Sequence, residues 1–341
     1  MINFNTSVVI PALNAEEFLP DLLNNIEEQT LLPKEIIIID SSASNRTFDM
    51  LKKWEGTIPI IYRKLDFAYP GHARNIGAGL AKNEWIAFID VRAIPKHDWL
   101  EVSASEAAKS GAEFIETIRI TDANTHFKKI LRAATYGCAG TKSLSGSIIS
   151  TKVFKKSGGF IPDLRAGEDI EFMQRLELTG VKISRLHSPT LTYYGLAESL
   201  SVAIKKWYTY AISKSNFDIR NDQKTIYLYF LISFVTFFVW RWNAIFASWD
   251  VNSIYFIPNI TKIFLVFIFV AYILFRGIIR PLQAKVKLSF LLPWYWLQVS
   301  FVGFCLDIAK APGLIWGAIL LIKRRFSSTK NFFKFFKKKD L

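Results

Sequence analysis

Residues 35–42 of the chain are Glu35-Ile36-Ile37-Ile38-Ile39-Asp40-Ser41-Ser42. The four consecutive isoleucines show no alternation with polar residues, which indicates a strand buried on both faces. Other short apolar strands and amphipathic helices are expected before and after it, at residues 7–10, 19–29, 58–62, 72–80 and 85–90. Strands that alternate with helices predict an α/β domain with a mostly parallel sheet.

The positive charge of the chain is concentrated in its C-terminal third. The 341 residues carry a formal net charge of +14, and the mean hydropathy is +0.21. Residues 1–224 hold 28 basic and 26 acidic side chains, whereas residues 225–341 hold 15 and 3. This pattern excludes a single soluble domain and intrinsic disorder. Because the basic surplus follows apolar segments, it favours a membrane protein and argues against nucleic-acid binding.

Three apolar segments are candidates for membrane helices, at residues 225–247, 259–275 and 288–322. The third is longer than the ~20 residues that one crossing needs, and Asp307–Gly313 interrupts it. Bases are concentrated in the loop 276–287 and in the tail from Lys323, so the positive-inside rule places both on the cytosolic side. The third segment must then cross twice or not at all. We expect two full spans plus a hairpin or re-entrant helix pair within 288–322.

The N-terminus predicts a cytosolic location for the globular part. Residues 1–5 contain no basic region followed by an apolar run, so no cleaved signal peptide is expected. Two cysteines, Cys138 and Cys305, argue against a disulfide framework. The predicted regions are a globular domain at 1–200, an amphipathic interface helix at 201–224, transmembrane or re-entrant helices at 225–322, and a basic–aromatic tail at 323–341.

Polar residues follow the predicted strands, at the edge where open α/β sheets bind their ligands. These motifs are Pro11-Ala12-Leu13-Asn14-Ala15-Glu16, Asp40-Ser41-Ser42-Ala43-Ser44-Asn45 and Asp90-Val91-Arg92. A fourth, Gly167-Glu168-Asp169, precedes a predicted helix at 170–178.

In order and spacing these motifs resemble the family 2 glycosyltransferases, the inverting GT-A group. Further matching pieces are Gly71-His72-Ala73-Arg74-Asn75-Ile76-Gly77, Pro95, Trp99-Leu100 and Gly158-Gly159-Phe160. The resemblance covers residues 5–215. It implies a doubly wound, Rossmann-like GT-A domain followed by an α-helical membrane region, and an enzyme that uses a nucleotide-sugar donor.

The resemblance also implies a donor site. Its nucleotide-sugar-binding residues are Pro11, Ala12, Asn14, Glu16, Asp40, Ser41, Arg74, Asn75, Asp90 and Arg92. At Ser41 the family usually has a second acidic residue, so two alternatives are open: the usual contact with the base, or a different nucleotide.

Arg92 departs from the family pattern Asp-x-Asp, whose last carboxylate usually holds Mg²⁺ or Mn²⁺ against the diphosphate. A guanidinium cannot bind a cation, but it pairs with phosphate oxygens in bidentate fashion. Two hypotheses remain open: Arg92, together with Arg74, partly replaces the metal, or Asp90 and another group retain it. A third interpretation makes Arg92 a surface ion-pair residue.

The resemblance assigns Asp169 as the general base that takes a proton from the acceptor hydroxyl. A helix N-terminus beside it would keep this carboxylate ionised. Glu168 would orient the acceptor or the loop. The alternative is that both carboxylates only cap the helix.

A lipid-facing element is expected around Lys205, Lys206 and Trp207. Processive family members carry Gln-x-x-Arg-Trp here, whereas Ala203 and Lys206 replace the glutamine and arginine, which argues against a processive synthase. The basic–aromatic cluster suits anchoring at the lipid interface, or it binds the phosphate of a lipid-linked acceptor. For Asp307 and Lys310 the alternatives are a mutual ion pair and contact with a lipid diphosphate.

The sequence therefore predicts a membrane-anchored glycosyltransferase. It would move a single sugar to a lipid-linked saccharide at the cytosolic membrane face, in surface polysaccharide biosynthesis. The alternatives are a polyprenyl-phosphate monoglycosyltransferase and a catalytically degenerate membrane scaffold or donor-binding subunit. The expected partners are a nucleotide-sugar donor, a lipid-linked acceptor and the membrane, with no nucleic acid.

Overall fold

A computed structural model describes residues 4–215 and 242–337. The chain divides into two compact units. The first comprises Met1–Lys128 and Cys138–Ala197, and the second comprises Lys129–Gly137 and Glu198–Leu341. Most of the predicted apolar segment 225–247 lies outside the described residues.

A nine-stranded sheet forms the centre of the first unit. Its strands are β1 (Thr6–Ala12), β2 (Glu35–Asp40), β3 (Ile60–Lys64), β4 (Trp85–Phe88), β5 (Ala93–Pro95), β6 (Phe114–Thr121), β7 (Thr141–Ser150), β8 (Ile183–Arg185) and β9 (Leu191–Tyr193). The spatial order is β3-β2-β1-β4-β7-β6-β9-β5, and β8 also pairs with β6. Strands β3, β2, β1 and β4 run parallel to one another, whereas β7 is antiparallel to both β4 and β6.

Helices cover both faces of this sheet. They are α1 (Leu19–Glu27), α2 (Arg46–Leu51), α3 (Pro70–Leu80), α4 (Trp99–Ser110), α6 (Thr151–Lys156) and α7 (Glu168–Leu178). Helix α5 (His126–Ala134) comes between β6 and β7 in the chain, and most of it belongs to the second unit. Ile36 and Ile38 of β2 pack with α1 and α4, whereas Ile37 and Ile39 pack with α3, α6 and α7. The four isoleucines are therefore buried alternately on opposite faces. The predicted doubly wound, mostly parallel sheet is confirmed.

The parallel strands end at a common edge. Ala12 of β1 is in register with Asp40 of β2, so the polar loops after these two strands are neighbours. Strand β4 pairs with the other side of β1 and ends at Phe88, so Asp90 lies just beyond it at the same edge. The strand ends thus bring together residues that are far apart in sequence.

Helix α3 can approach the sheet because position 77 is a glycine. A Cβ added there would overlap Cγ1 of Val9 and lie 3.3 Å from Cγ1 of Ile39. Gly77→Ala is therefore expected to destabilise the protein by about 1–3 kcal/mol. Gly79→Ala is the matched control, since a Cβ there meets nothing within 4 Å. It should stabilise by about 0.4–1 kcal/mol. Thermal unfolding of the two variants tests this, and equal melting temperatures would contradict the close packing.

The second unit is helical in the part of the chain that the structure describes. After α8 (Leu200–Ser215) come α9 (Trp242–Ile245), α10 (Asn259–Leu274), a π-helical turn (Phe275–Ile279), α11 (Arg280–Gln283), α12 (Leu288–Leu291) and α13 (Tyr295–Lys337). Two stretches, Val266–Gln283 and Tyr295–Trp316, are long and apolar enough to cross a membrane by length and composition.

Two predictions about this unit are wrong. No hairpin or re-entrant turn interrupts α13, which continues through Asp307–Gly313 with Pro312 inside it. The charge of Asp307 does not force a reversal because the side chain is buried against Arg276, Lys310 and Tyr272. The predicted loop 276–287 is also shorter, since helical structure continues through the π-helical turn to Gln283 and buries Arg276.

Candidate active site

Arg74 joins three elements at the carboxyl edge of the sheet. Its Nη1 donates to Oε1 of Glu168 at 2.7 Å, and its Nη2 donates to Oδ1 of Asp90 at 2.7 Å. Arg74 lies on α3, Asp90 follows β4, and Glu168 begins α7. The guanidinium therefore fixes the relative positions of the two carboxylates that the sequence assigns to the site.

Burial makes this ion-pair network sensitive to the loss of any member. The side chains of Arg74 and Glu168 are each 6% exposed, whereas that of Asp90 is 31% exposed. Burial opposes the charged form of Arg74, but Asp90 and Glu168 outweigh it and raise the pKa of Arg74. Burial, aided by repulsion from Asp169, raises the pKa of Glu168 despite the opposing effect of Arg74. The Nε of Arg74 is buried and has no hydrogen-bond partner among the described residues.

Asp169 is the more accessible of the two adjacent carboxylates on α7. It is half-buried, and its Oδ1 accepts a hydrogen bond from the backbone N–H of Ile170 at 2.8 Å. Gly167, which precedes the helix, has φ 93°, in the left-handed region that favours glycine. This turn lets α7 begin with two acidic residues that have different surroundings: Glu168 is held by Arg74, and Asp169 is left partly open to solvent.

Arg92 is exposed and does not join this network. Its guanidinium carbon lies 4.6 Å from the ring centroid of Phe18, and no ion pair involves it in the described ranges 4–215 and 242–337. Arg74, by contrast, is already paired with two carboxylates. Among the two arginines of the predicted diphosphate site, Arg92 therefore has the charge available for an incoming anion.

Asp90 is the carboxylate that the metal hypothesis assigns as a ligand. One oxygen of Asp90 already accepts from Arg74, and a guanidinium stands at the position two residues on. Within the described residues, no group of three or more His, Cys, Asp or Glu side chains could hold a metal ion. The use of a divalent ion in donor binding stays a prediction.

Asp40 is fully buried and joins the loops that follow β1 and β2. Its Oδ1 accepts from the backbone N and the hydroxyl of Ser42, and its Oδ2 accepts from the hydroxyl of Tyr62 at 2.9 Å. The backbone N of Asn14, which has φ 50°, donates to the hydroxyl of Ser42 at 2.7 Å. Asp40 thus shapes the slot between the loops, while its direct contact with a nucleoside stays a prediction.

Ser42 and Tyr62 belong to this network although the sequence analysis assigns neither residue to the donor site. The backbone N–H of Ser42 donates to Oδ1 of Asp40, which forms a local turn that an Asp–x–Ser order could have suggested. Tyr62 lies on the next strand of the sheet, and its burial and its bond to Asp40 raise its pKa. No local pattern reveals that partner.

Asn75 and Glu16 have different surroundings. Both ends of the Asn75 amide bond the backbone of Phe160 at 2.8 Å, so Asn75 fixes the turn that follows α6. Glu16 has one oxygen 3.5 Å from Arg46, and its Oε2 is buried with no hydrogen-bond partner in the described part of the chain. Pro11 and Ala12 end β1, and Ser41 bonds the backbone of Ala12.

The predicted lipid-contact residues belong to the second unit. Lys205, Lys206 and Trp207 lie on α8, where Lys206 is 5.8 Å from the ring centroid of Tyr210. The indole of Trp207 lies 6.2 Å from the ring of Tyr136, which is also in this unit.

Residues 7–164 match the profile of the family described as glycosyl transferase family 2. The chain therefore carries a family 2 glycosyltransferase domain, which confirms the predicted family and its GT-A fold class.

Curated relatives carry names that contain a glycosyltransferase activity. One is the poly(ribitol-phosphate) beta-glucosyltransferase of Bacillus spizizenii, 35% identical over 25% of this chain and 14% of the relative. Another is the poly(ribitol-phosphate) beta-N-acetylglucosaminyltransferase TarS of Staphylococcus aureus, 26% identical over 32% of this chain and 18% of TarS. The chain thus matches less than a fifth of the length of these two relatives.

Solved structures of the same Staphylococcus aureus protein are also similar. The structure described as TarS 1-349 in complex with UDP-GlcNAc aligns with a TM-score of 0.46 and 18% identity. The alignment covers 71% of this chain and 73% of that one.

Proposed function

We propose that the protein is an inverting glycosyltransferase that moves one sugar from a nucleotide-sugar donor to an acceptor hydroxyl. The observation that carries the proposal is the network in which Arg74 fixes Asp90 and Glu168 beside the more open Asp169. The family 2 domain and the glycosyltransferase names of the relatives support the reaction type. The following roles are part of this proposal.

Asp169 acts as the general base. It takes the proton of the acceptor hydroxyl while that oxygen forms a bond to the anomeric carbon. The bond between the anomeric carbon and the diphosphate oxygen breaks on the opposite face, and its electron pair leaves with the nucleoside diphosphate. Glu168 is held by Arg74 and so orients the loop that presents Asp169.

The nucleoside binds between the loops after β1 and β2, near Pro11, Ala12, Asn14 and Ser41. The buried Oε2 of Glu16 is an acceptor that a ribose hydroxyl would satisfy. Asn75 supports this edge through the turn at Phe160. Asp40 contributes mainly by holding the two loops together.

Arg92 neutralises the diphosphate in this proposal. A guanidinium pairs with phosphate oxygens through two parallel hydrogen bonds, and no carboxylate among the described residues competes for it. Binding of the donor would then require no divalent ion. Under the alternative hypothesis of a metal-dependent enzyme, Asp90 would hold the ion.

Arg92→Asp tests this directly, because it creates two carboxylates two residues apart. We expect wild-type affinity for UDP, measured by titration calorimetry, to change by less than about twofold between EDTA and Mn²⁺. R92D should lose about tenfold or more in EDTA, a change of ~1.4 kcal/mol, and recover part of it in Mn²⁺. Wild-type binding that disappears in EDTA would contradict the role of Arg92.

The acceptor is proposed to be a lipid-linked saccharide at the cytosolic membrane face. Two apolar helical stretches supply the anchor, and the basic tail from Lys323 favours an anionic membrane surface. Lys205, Lys206 and Trp207 lie on α8 within the anchoring unit, where they would meet the lipid interface or the acceptor phosphate. The relatives' polyol-phosphate names are in keeping with a role in surface polysaccharide synthesis.

The reaction can be tested with purified protein in lipid nanodiscs. UDP-, GDP- and dTDP-linked sugars are offered one at a time, with and without bacterial lipid extract, and release of the nucleoside diphosphate is measured. Release that the extract accelerates for one donor is the expected result. No release from any donor, with or without the extract, would contradict the proposal.

A further inference from the structure

We propose that α13 does not cross the membrane: it lies along the surface on the side of residues 129–137 and α8, with its exposed apolar face in the lipid. The proposal rests on the membrane anchoring proposed above, but not on sugar transfer. It concerns one of the two stretches that are long and apolar enough to span.

The first part of α13 lies near residues 129–137, a nine-residue segment of the second unit that we call the excursion. A side chain on Gly277, in the π-helical turn, would collide with Ser300 and Trp296 of α13. The adjacent Arg276 donates to the backbone oxygen of Ala134 at 3.4 Å. Arg276 and Ala134 both belong to the second unit. The start of α13 therefore lies at the level of residues 129–137.

Residues 129–137 cannot themselves cross a membrane. Residues 128 and 138 both belong to the first unit, so the excursion leaves and returns within nine residues. One crossing needs ~20 residues. The excursion also carries Lys129 and Arg132, which are costly in hydrocarbon. The excursion therefore stays on one side of the membrane, and any helix residue that contacts it lies on that side or at that membrane surface.

A second contact ties α13 to the same side further along. A side chain on Gly313 would collide with the backbone of Ala211 in α8. Ala211 is one helical turn after Trp207, whose ring lies 6.2 Å from that of Tyr136 in the excursion. Helix α8 carries Lys205, Lys206 and Lys214, and placing these charged side chains in the hydrocarbon core would cost free energy.

The distance between the two contacts decides between crossing and surface positions. From Trp296 to Gly313 the helix rises about 26 Å, close to the ~30 Å thickness of a hydrocarbon core. A crossing helix would place these residues at opposite surfaces. Instead, both contact elements that the excursion and α8 hold on one side.

The two faces of α13 agree with a surface position. Four of its exposed apolar residues, Leu297, Phe301, Ile308 and Ile315, form one stripe along the helix. Val299, Val302, Leu306 and Ala309 are buried on the opposite face. A larger share of Tyr295–Trp316 than of Val266–Gln283 is buried. Lipid is the occupant we assign to the stripe, because α13 continues into the basic tail, whose charge suits an anionic surface.

This arrangement also explains the charge pattern without a hairpin. If α13 does not cross, the basic loop before it and the eight bases from Lys323 onward lie on the same side.

Single-cysteine labelling tests the proposal. Cys138 and Cys305 are changed to serine, and one cysteine is introduced by Lys287→Cys or by Ser328→Cys. Each variant is treated with a membrane-impermeant maleimide in intact bacterial cells and in inverted vesicles. We expect both cysteines to be labelled from the same side. Labelling from opposite sides would overturn the proposal, and so would absence of the protein from the membrane fraction.

Spin labels provide a second arm that tests the lipid contact. Labels at positions 301 and 315 are about 21 Å apart along the helix. For a surface helix they should report the same depth by oxygen and nickel accessibility. Labels at 263 and 274 of α10 are the matched pair, whose depths should differ by up to about 16 Å. A depth difference of that size on α13, or low oxygen accessibility at both positions, would contradict the proposal. Neither readout depends on sugar-transfer activity. Failure of the proposed reaction can therefore be distinguished from failure of the proposed position of α13.

Discussion

Arg74→Met is expected to lower the melting temperature by about 10 °C and to slow sugar transfer at least ~100-fold. The replacement keeps much of the side-chain volume but leaves buried Glu168 and half-buried Asp90 without their shared partner. Breaking a buried ion pair by removing one member costs ~3–5 kcal/mol. Thermal unfolding in detergent and donor turnover are the two measurements.

Further variants separate charge from geometry at this position. Arg74→Lys keeps the positive charge but lacks the planar fork that reaches both carboxylates, so it should restore only part of the stability. The double variant Arg74→Met, Glu168→Gln should be more stable than Arg74→Met alone, because the buried carboxylate is then neutral. Wild-type stability in Arg74→Met would show that the network does not hold the site together.

Asp169→Asn should lower kcat by about 10²–10⁴-fold, the usual contribution of general acid–base catalysis. The amide oxygen can still accept the hydrogen bond from the N–H of Ile170, so the start of α7 should stay folded. The affinity for UDP should change by less than about twofold.

Glu171→Gln is the matched control for this experiment. Glu171 lies on the same helix but pairs with Arg175 at 2.7 Å, away from the network of Arg74. Its turnover should stay within about twofold of wild type. A kcat for Asp169→Asn that equals that of Glu171→Gln would remove Asp169 from its role as base.

Much of the first unit could be predicted because its signals are local. The isoleucines of β2 define a strand buried on both faces, and the polar residues after β1, β2 and β4 follow from the parallel order. The sequence could not show that Arg74 is shared between Asp90 and Glu168, since these partners are 16 and 94 residues away. The same holds for Tyr62, which reaches Asp40 from a neighbouring strand.

In the second unit, composition alone did not predict where the helices end. Asp307, Pro312 and Gly313 predict a break in an apolar helix, yet α13 is continuous. Arg276 and Lys310 compensate the charge of Asp307, and Gly313 lets α8 approach the helix backbone. The pair of Asp307 and Lys310 is local, and the sequence offers it as one of two alternatives. Arg276 and α8 lie in other segments of the chain, so no local pattern could reveal their contacts with α13.

Transfer of radiolabelled sugar into lipid tests the central claim most directly. Wild-type protein and Asp169→Asn, each in nanodiscs with bacterial lipid extract, receive the donor that supports nucleotide release, and label in the extracted lipid is counted. We predict label in the lipid with wild type and a decrease of about 10²-fold or more with Asp169→Asn. Equal incorporation by the two proteins, or none by wild type, would contradict the account.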